Sequence, residues 1–468
     1  MVTADISEIQ RVFALQQSNY PGIRQTNAGE RISKLRKFQR LILDRRPSLE
    51  KALYADLRKS VHESALSEIY MVTTEIKHAC KHLKKWMKPE RVPNPITFLR
   101  ARGEIRYESR GVVLILAPWN YPFQLAVAPL VSAIAAGNCV IVKPSEVSSH
   151  TSRFIKDLVA ESFPEDEVAV FEGDHSIASS LLEMPFHHIF FTGSTAVGRI
   201  VMEAAARHHA SVTLELGGKS PVLIDEAYDI KDAASKIMWG KLLNAGQSCV
   251  APDYVLVPAS RHTDFIDAAR ESVRRLYGSP LDSPDFGKII SVKHHERIKQ
   301  LVNSAVEKGA RVELGNEYND EKDYVSPTIL SNIPEDAEIM QEEIFGPVLP
   351  VVQYESLDQA IAFVNAGKRP LSLYIFSDNH NWIETVLCRT FSGGVCINDV
   401  AVQFANVELP FGGINHSGMG SGHGQYGFKS FSHARAVLHQ PKRGAMSFFY
   451  PPFTGRMKKL LDWTIKYL

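Results

Sequence analysis

The stretch Val212-Thr213-Leu214-Glu215-Leu216-Gly217-Gly218-Lys219-Ser220, followed a helix later by Asn244-Ala245-Gly246-Gln247-Ser248-Cys249-Val250, decides the reading of this chain. Val212, Leu214 and Leu216 alternate with Thr213 and Glu215, the period-2 pattern of a half-buried strand. The glycine pair ends it. A carboxylate is thereby aimed from the carboxyl end of a strand, the edge at which open α/β sheets hold ligands. Ala233 to Leu243 reads as a helix that stops at Asn-Ala-Gly and leaves Cys249 on a loop. A thiol and a carboxylate delivered from adjacent elements form a nucleophile–base pair: the thiolate attacks carbonyl carbon, and the carboxylate activates water against the resulting thioester. A single cysteine is more often a small buried hydrophobe, and a glutamate after a strand is usually solvated. The pair therefore needs support from the rest of the chain.

Upstream, a βαβ rhythm begins at Gly111. Val112–Leu116 is a continuous apolar run of the buried parallel kind. The loop Ala117-Pro118-Trp119-Asn120-Tyr121-Pro122 follows, then a helix over Phe123–Ala136. Strands at Cys139–Val142, Val168–Phe171 and His188–Phe191 alternate with helices at Ser152–Ser162, Ile177–Leu182 and a long one reaching His208. Strands alternating with helices predict an α/β fold with a Rossmann-like, doubly wound sheet. Thr192-Gly193-Ser194-Thr195-Ala196-Val197-Gly198 leaves a strand and opens a helix, the context of a dinucleotide site, although one glycine of the full G-x-G-x-x-G is missing. Lys143 and Glu146, three apart at a strand end, either grip two ribose hydroxyls or form a surface ion pair worth little. After Ser220 a second α/β unit begins. It has strands at Pro221–Asp225, Tyr254–Val257, Val312–Leu314, Val348–Gln353 and Leu371–Phe376, and helices near 262–275 and 293–308.

Residues 1–90 read as mostly helical, with a run from Glu63 to Met87 that stops before Pro89. Pro93 and Pro95 break that pattern. Residues 91–109 then read as an extended excursion, Thr97-Phe98-Leu99-Arg100 and Glu104–Glu108, which must pack on something because two-stranded ribbons are marginal alone. At 468 residues the chain is long enough for two or three domains, and 44% hydrophobic with 22% charged residues is the balance of an ordinary globular protein. Lys+Arg of 53 against Asp+Glu of 52 argues against nucleic-acid binding. The five cysteines lack paired spacing, which predicts reduced, cytoplasmic thiols. Without a His-Glu-x-x-His or similar ligand set, no metal is expected. No apolar run is long enough for a signal peptide or a membrane span.

Glu-Leu-Gly-Gly-Lys-Ser at 215–220 and Gly-Gln-Ser-Cys at 246–249 resemble the two signature motifs of the NAD(P)-dependent aldehyde dehydrogenases, and further matches run in order from Ile105 to Gly420. Ala-Pro-Asp-Tyr at 251–254 resembles the class 3 and fatty-aldehyde branch. The resemblance implies Cys249 as nucleophile, Glu215 as base and Asn120 with the Cys249 N–H as oxyanion donors. It implies a cofactor site from Pro118, Trp119, Lys143, Glu146, Thr192, Gly193, Ser194, Gly198, Leu216, Glu343 and Phe345. Glu343 would hold the nicotinamide ribose, and Lys143 with Glu146 the adenosine ribose. Glu146 would repel a 2′-phosphate, so NAD is favoured and NADP stays open. Tyr70, Tyr121 and Trp239 would line the aldehyde entrance. The expected layout is a cofactor domain over 1–90 and 110–217, an oligomerisation arm over 91–109 and 430–445 that makes a homodimer, and a catalytic domain over 218–415. The glycine-rich Leu409–Gly420 segment would be a structural loop beneath the site.

The tail, 446–468, carries Met457, Leu460, Leu461, Thr464, Ile465 and Leu468 as one stripe opposite Lys458, Lys459, Asp462 and Lys466. This is a basic amphipathic helix. It either docks on the protein, covers a substrate funnel, or makes a weak peripheral membrane contact. The expected reaction is oxidation of a medium- or long-chain aliphatic or aromatic aldehyde to the acid. A CoA-acylating relative, a semialdehyde-specific relative and a non-catalytic scaffold are the alternatives. The presence of Glu215 disfavours the first, and Cys249, Glu215 and Asn120 together disfavour the last.

Overall fold

The computed structural model describes residues 6–95, 98, 100–442 and 450–467. Two mostly parallel sheets and a small antiparallel one make up its frame. The first sheet has six strands in the spatial order Gly418–Met419, Ser211–Leu216, His188–Gly193, Val112–Leu116, Cys139–Lys143 and Val168–Val170. All neighbours are parallel except the first pair. The chain order reverses between Val112–Leu116 and His188–Gly193, which opens a crevice beyond their carboxyl ends. Period-2 alternation divides the apolar strands between two cores. Val112, Leu114 and Ile141 face Ile9, Phe13 and Val201 from helices Ile6–Arg24 and Thr195–Arg207. Val113, Ile115 and Val140 face helices Ala28–Asp44, Met71–Trp86 and Gln124–Ala136.

The second sheet has seven strands in the order Arg311–Leu314, Thr328–Ser331, Val348–Tyr354, Tyr254–Pro258, Pro221–Ile224, Ser372–Phe376 and Gly394–Ile397. Only the Arg311–Leu314 edge is antiparallel. Helices Ile230–Leu242 and His262–Tyr277 pack on one face, and Leu357–Ala366 and His380–Arg389 on the other. Sequence patterning missed Thr328–Ser331 and Gly394–Ile397, each four residues long, because so short a run lacks a readable period.

Strands Glu90–Val92, Arg102–Ser109 and Ser432–His439 form the third sheet, with Ser432 opposite Ser109 and His439 opposite Arg102. The extended reading of Glu104–Glu108 agrees with this. The extended reading of 97–100 does not: Phe98 N–H donates to Pro95 O and Ala101 N–H to Phe98 O, a turn set by the flanking prolines, while Thr97 and Leu99 lie outside the described residues. Residues 443–449 of the expected arm and tail also lie outside them. Helix Gly455–Tyr467 carries the expected stripe up to Ile465 and buries none of it, with Leu460 46% and Ile465 81% exposed, while Leu468 lies outside the described residues. Among the described residues, no helix is long and apolar enough to cross a membrane.

The entry into helix Ser149–Ser162, just beyond Lys143 and Glu146, is fixed from a distance. Asp56 accepts from His150 N–H, Thr151 N–H and Thr151 Oγ1 at 3.1, 2.8 and 2.7 Å. The carboxylate thus caps the helix N-terminus in place of a local residue. Asp56→Ala should lower stability by about 1–3 kcal/mol, measured by urea unfolding, because three donors lose their acceptor.

Candidate active site

Glu215 is the penultimate residue of strand Ser211–Leu216, opposite Thr192 on one side and Gly418 on the other. It is buried, and neither carboxylate oxygen has a hydrogen-bond partner. Burial holds its carboxyl well above the usual range, with slight relief from the nearby Gly422 backbone. Cys249 lies on the turn that follows the 3-10 segment Leu243–Gly246. Asn244, Ala245 and Gly246 in that segment have left-handed φ of 54, 51 and 75°. Gly246 is required there twice over: a Cβ would meet Gly346 O at 2.2 Å, and its φ is one that side chains disfavour. The two non-glycine residues persist because side chains hold them. Asn244 Nδ2 donates to Asn120 O and Gln247 O at 2.8 and 3.1 Å, and Asn244 N–H to Glu63 at 2.8 Å. Gln247 in turn donates to Asn244 O and Lys288 O and accepts from Ile290 N–H.

Asn120 binds the same loop from the other side. One of its two amide protons goes to Gln247 O at 3.2 Å, which leaves the other for a ligand. Its carbonyl accepts from Asn244 and, at 3.3 Å, from Lys59 Nζ. Lys59 is fully buried and paired at 2.7 Å with the equally buried Glu68. Glu68 also accepts the Gln124 N–H at 2.8 Å, the first residue of helix Gln124–Ala136. The ammonium sits 4.3 Å from the centre of the Tyr121 ring.

Two cavities meet at Cys249. One is lined by Leu125, Phe190, Leu371, Phe411 and Phe431 with the carboxyl of Glu75 and the ring of His423. Burial pushes Glu75 up to about 7 and His423 down to about 4, so the imidazole is neutral and the carboxyl is poised between its two forms near neutral pH. The other is a cleft at the reversal of the first sheet. Cys249, Glu215 and Thr192 belong to both. Burial, then the neighbouring carboxyls of Glu343 and Glu215, push the thiol up to about 12.

Pro118, Trp119, Asn120, Thr192, Gly193, Ser194, Leu216, Glu343 and Phe345 are brought together around that cleft. Ser194 caps helix Thr195–Arg207, whose free N–H groups suit a phosphate. Thr192 Oγ1 and Glu343 Oε1 are buried without partners, so the cleft offers polar atoms that a ligand can satisfy. Burial and Asp253 push Glu343 up to about 8. Its loop is pinned: Lys219 pairs with Asp253 and donates to Ile339 O and Glu342 O, Asp253 accepts from Ile344 N–H at 2.9 Å, and Arg297 donates to Glu343 O at 3.2 Å. Phe345 meets Trp119 edge-on at 5.4 Å. Gly198 lies under the cleft, not in it; its missing side chain lets the helix approach Leu216, where a Cβ would fall 2.7 Å from Cδ2. Lys143 Nζ and Glu146 Oε2 form an ion pair at 2.7 Å outside the cleft lining.

The three aromatics expected at the aldehyde entrance sit in different settings. Tyr70 is 54% exposed, because Ala65–Tyr70 is a π-helical turn whose extra residue rotates the register, turning Tyr70 outward and Met71 inward. Tyr121 is buried beneath Lys59, and Trp239 is half-buried on helix Ile230–Leu242. None of the three lines the cavity beside Cys249. The sequence reading missed Lys59, Glu68, Glu75 and His423. A lysine and glutamate nine apart at the start of a helical run look like a solvated face, yet the fold buries them against each other at 2.7 Å.

The aldehyde dehydrogenase family pattern matches residues 1–437. AldX of Bacillus subtilis (strain 168) is 45% identical over 436 residues, covering 92% of this chain and 98% of AldX. Aldehyde dehydrogenase family 3 member B3 of Mus musculus is 42% identical over 438 residues, covering 93% and 90%. The substrate-bound structure of Staphylococcus aureus AldH superposes with a TM-score of 0.94 at 40% identity, covering 97% of this chain and 99% of that one.

Lys59→Met should cost about 3–5 kcal/mol in urea unfolding, because Glu68 is left buried without its partner. Lys59→Met/Glu68→Gln should recover most of that loss, which separates an uncompensated charge from lost packing.

Proposed function

The chain belongs to the aldehyde dehydrogenase family, and from that premise we propose how its residues carry the reaction. It is an enzyme that oxidises an aldehyde to the carboxylic acid with a nicotinamide cofactor. Cys249 is the nucleophile, Glu215 the base and Asn120 the oxyanion donor. The observation that carries this reading is the shared wall: Cys249 and Glu215 border both the apolar cavity and the polar cleft. A carbonyl carbon coming through the first reaches sulfur beside whatever the second holds.

The resting thiol is neutral, so attack requires removal of its proton, and Glu215 is the base in the same dry space. Sulfur bonds to the carbonyl carbon, and the negative charge passes to oxygen. The free Asn120 amide proton and the Cys249 N–H receive that charge. One such preorganised donor is worth about 3 kcal/mol of barrier. When bound, the nicotinamide supplies the hydride acceptor that turns this adduct into a thioester. Glu215 releases the thiol proton to solvent, then takes a proton from water as the water attacks the thioester, and Cys249 leaves as thiolate, which Glu215 reprotonates.

Glu343, Phe345, Trp119, Pro118, Thr192, Gly193 and Leu216 would hold the nicotinamide end, and Ser194 at its helix N-terminus the pyrophosphate. Lys143 and Glu146 would hold the adenosine ribose. The Glu146 carboxylate beside Lys143 supports NAD over NADP, since it repels a 2′-phosphate. The phenylalanine-rich cavity supports medium- or long-chain aliphatic and aromatic aldehydes. The first sheet with its helices would be the cofactor domain and the second the catalytic domain. The exposed edge of the three-stranded sheet at Ser432–His439 supports pairing with a second copy in a homodimer. The five free cysteines fit a reducing, cytoplasmic setting.

Cys249→Ala should abolish turnover while NAD binding by fluorescence titration persists; retained turnover would reject Cys249 as nucleophile. Glu215→Gln should let an acyl-enzyme accumulate, visible by intact-mass spectrometry. In the native enzyme single-turnover deacylation should speed up as pH rises through the elevated Glu215 value, because only the ionised carboxyl accepts the water proton. That rise should vanish in Glu215→Gln, and its survival there would assign the role to another base.

A further inference from the structure

Behind the cavity wall, on the side away from the cleft, three metal-ligating side chains converge that the catalytic reading does not use. His78 and His82 are four apart on helix Met71–Trp86 and so share one face. Their ring centroids are 4.6 Å apart. Glu408 comes from a turn 330 residues away from His78 along the chain and places Oε1 2.9 Å from His78 Nε2. One donor atom from each of the three lies within 4.8 Å of the others. We propose that His78, His82 and Glu408 form a binding site for a divalent transition metal of the zinc class, which clamps this helix to the turn at Asn406–Leu409.

Each ligand is already constrained. The Glu408 backbone is held by Asn406, whose Oδ1 accepts Glu408 N–H at 3.1 Å and whose carbonyl accepts Leu409 N–H at 3.0 Å. The His78 side chain is only 9% exposed and lies against Gly424, where an added Cβ would fall 3.0 Å from Cε1. The His82 ring stacks on Trp86 at 6.1 Å and 18°. Two imidazoles and a carboxylate are a ligand set zinc uses, with bonds of about 2.0–2.2 Å that put tetrahedral donors about 3.4 Å apart. Here one donor pair stands at 2.9 Å and all three donors lie within 4.8 Å of one another. His78 Nε2 faces the acceptor-only Glu408 carboxylate, where a metal would take the place of the shared proton, and Nδ1 has no competing hydrogen-bond partner. Glu408 is 69% exposed, which leaves a water-accessible fourth position. Lys81 and Lys85 are the nearby positive charges; both are exposed on the same helix and oppose the metal only through solvent.

The clamp would bear on the substrate cavity. Glu408 precedes Phe411 by three residues, and His78 touches the residue after His423, both cavity-lining side chains. Metal binding itself does not depend on the catalytic assignment. Isothermal titration of zinc into Cys249→Ser protein, which removes the reactive thiol as a competing ligand, should give one saturable site. His82→Gln and Glu408→Gln should each weaken it at least about tenfold, since losing even an outer-shell partner of a metal costs about 10–100-fold. Their melting temperatures without zinc should stay near the parent's, and the zinc-induced rise in melting temperature should disappear. Absence of saturable binding, or unchanged affinity in both variants, overturns the site.

Discussion

Exclusion of water from the space among Cys249, Glu215 and Glu343 is the constraint on which the rest of this molecule turns. All three groups are pushed toward their neutral forms by burial, and the thiol is pushed further by the two carboxyls beside it. Two carboxylates and a thiolate cannot share so small a dry volume. Charge can therefore appear at one of them only transiently, when a substrate or cofactor arrives to balance it. A site built this way resists adventitious reaction of its thiol and responds to whatever fills the cleft.

Holding such a space open and dry requires a rigid wall, and the wall is made of loops. Backbone strain at Asn244 and Ala245 is offset by side-chain hydrogen bonds from Asn244 and Gln247, and by the close approach of Gly246 to Gly346. Behind that loop lies the Lys59–Glu68 pair, itself cut off from solvent, which ties the Asn120 carbonyl to the start of helix Gln124–Ala136. On the far side, Lys219, Asp253 and Arg297 hold the backbone of the Glu343 loop. Charged side chains thus serve mainly as scaffolding around a centre where charge is suppressed. The Lys59–Glu68 pair is fully buried, so either member is costly to lose singly and the two are cheaper to lose together.

The Gly418–Met419 strand shows how the cavity gains its last wall. The glycine-rich segment expected to be a loop beneath the site adds an antiparallel strand to Ser211–Leu216, directly opposite Glu215. This pairing and the Leu216 N–H bond to Ser417 O fix the strand that carries the carboxylate. Glycines allow that approach, since a Cβ on Gly418 would stand 2.1 Å from Leu214 O. Two residues are too short a strand to announce themselves by alternation.

What the sequence determined by itself was the order of elements, the doubly wound first sheet and the class of chemistry. Apolar runs such as Val112–Leu116, the stop at Gly217–Gly218 and the strand-turn-helix at Thr192–Gly198 are local signals, set by backbone conformation and side-chain period. The two motifs around Glu215 and Cys249 lie close enough along the chain to be read together. What only the tertiary structure decided was which side chains face the substrate and which distant groups meet. Tyr70 points to solvent because a π turn shifts its register, and the cavity is lined by Phe190, Phe411 and Phe431 from three separate parts of the chain. His78 and Glu408, or Asp56 and Thr151, find each other across long loops. Such contacts are settled by how whole layers pack, and packing depends on all the elements at once, whereas a local pattern depends on only a few neighbours.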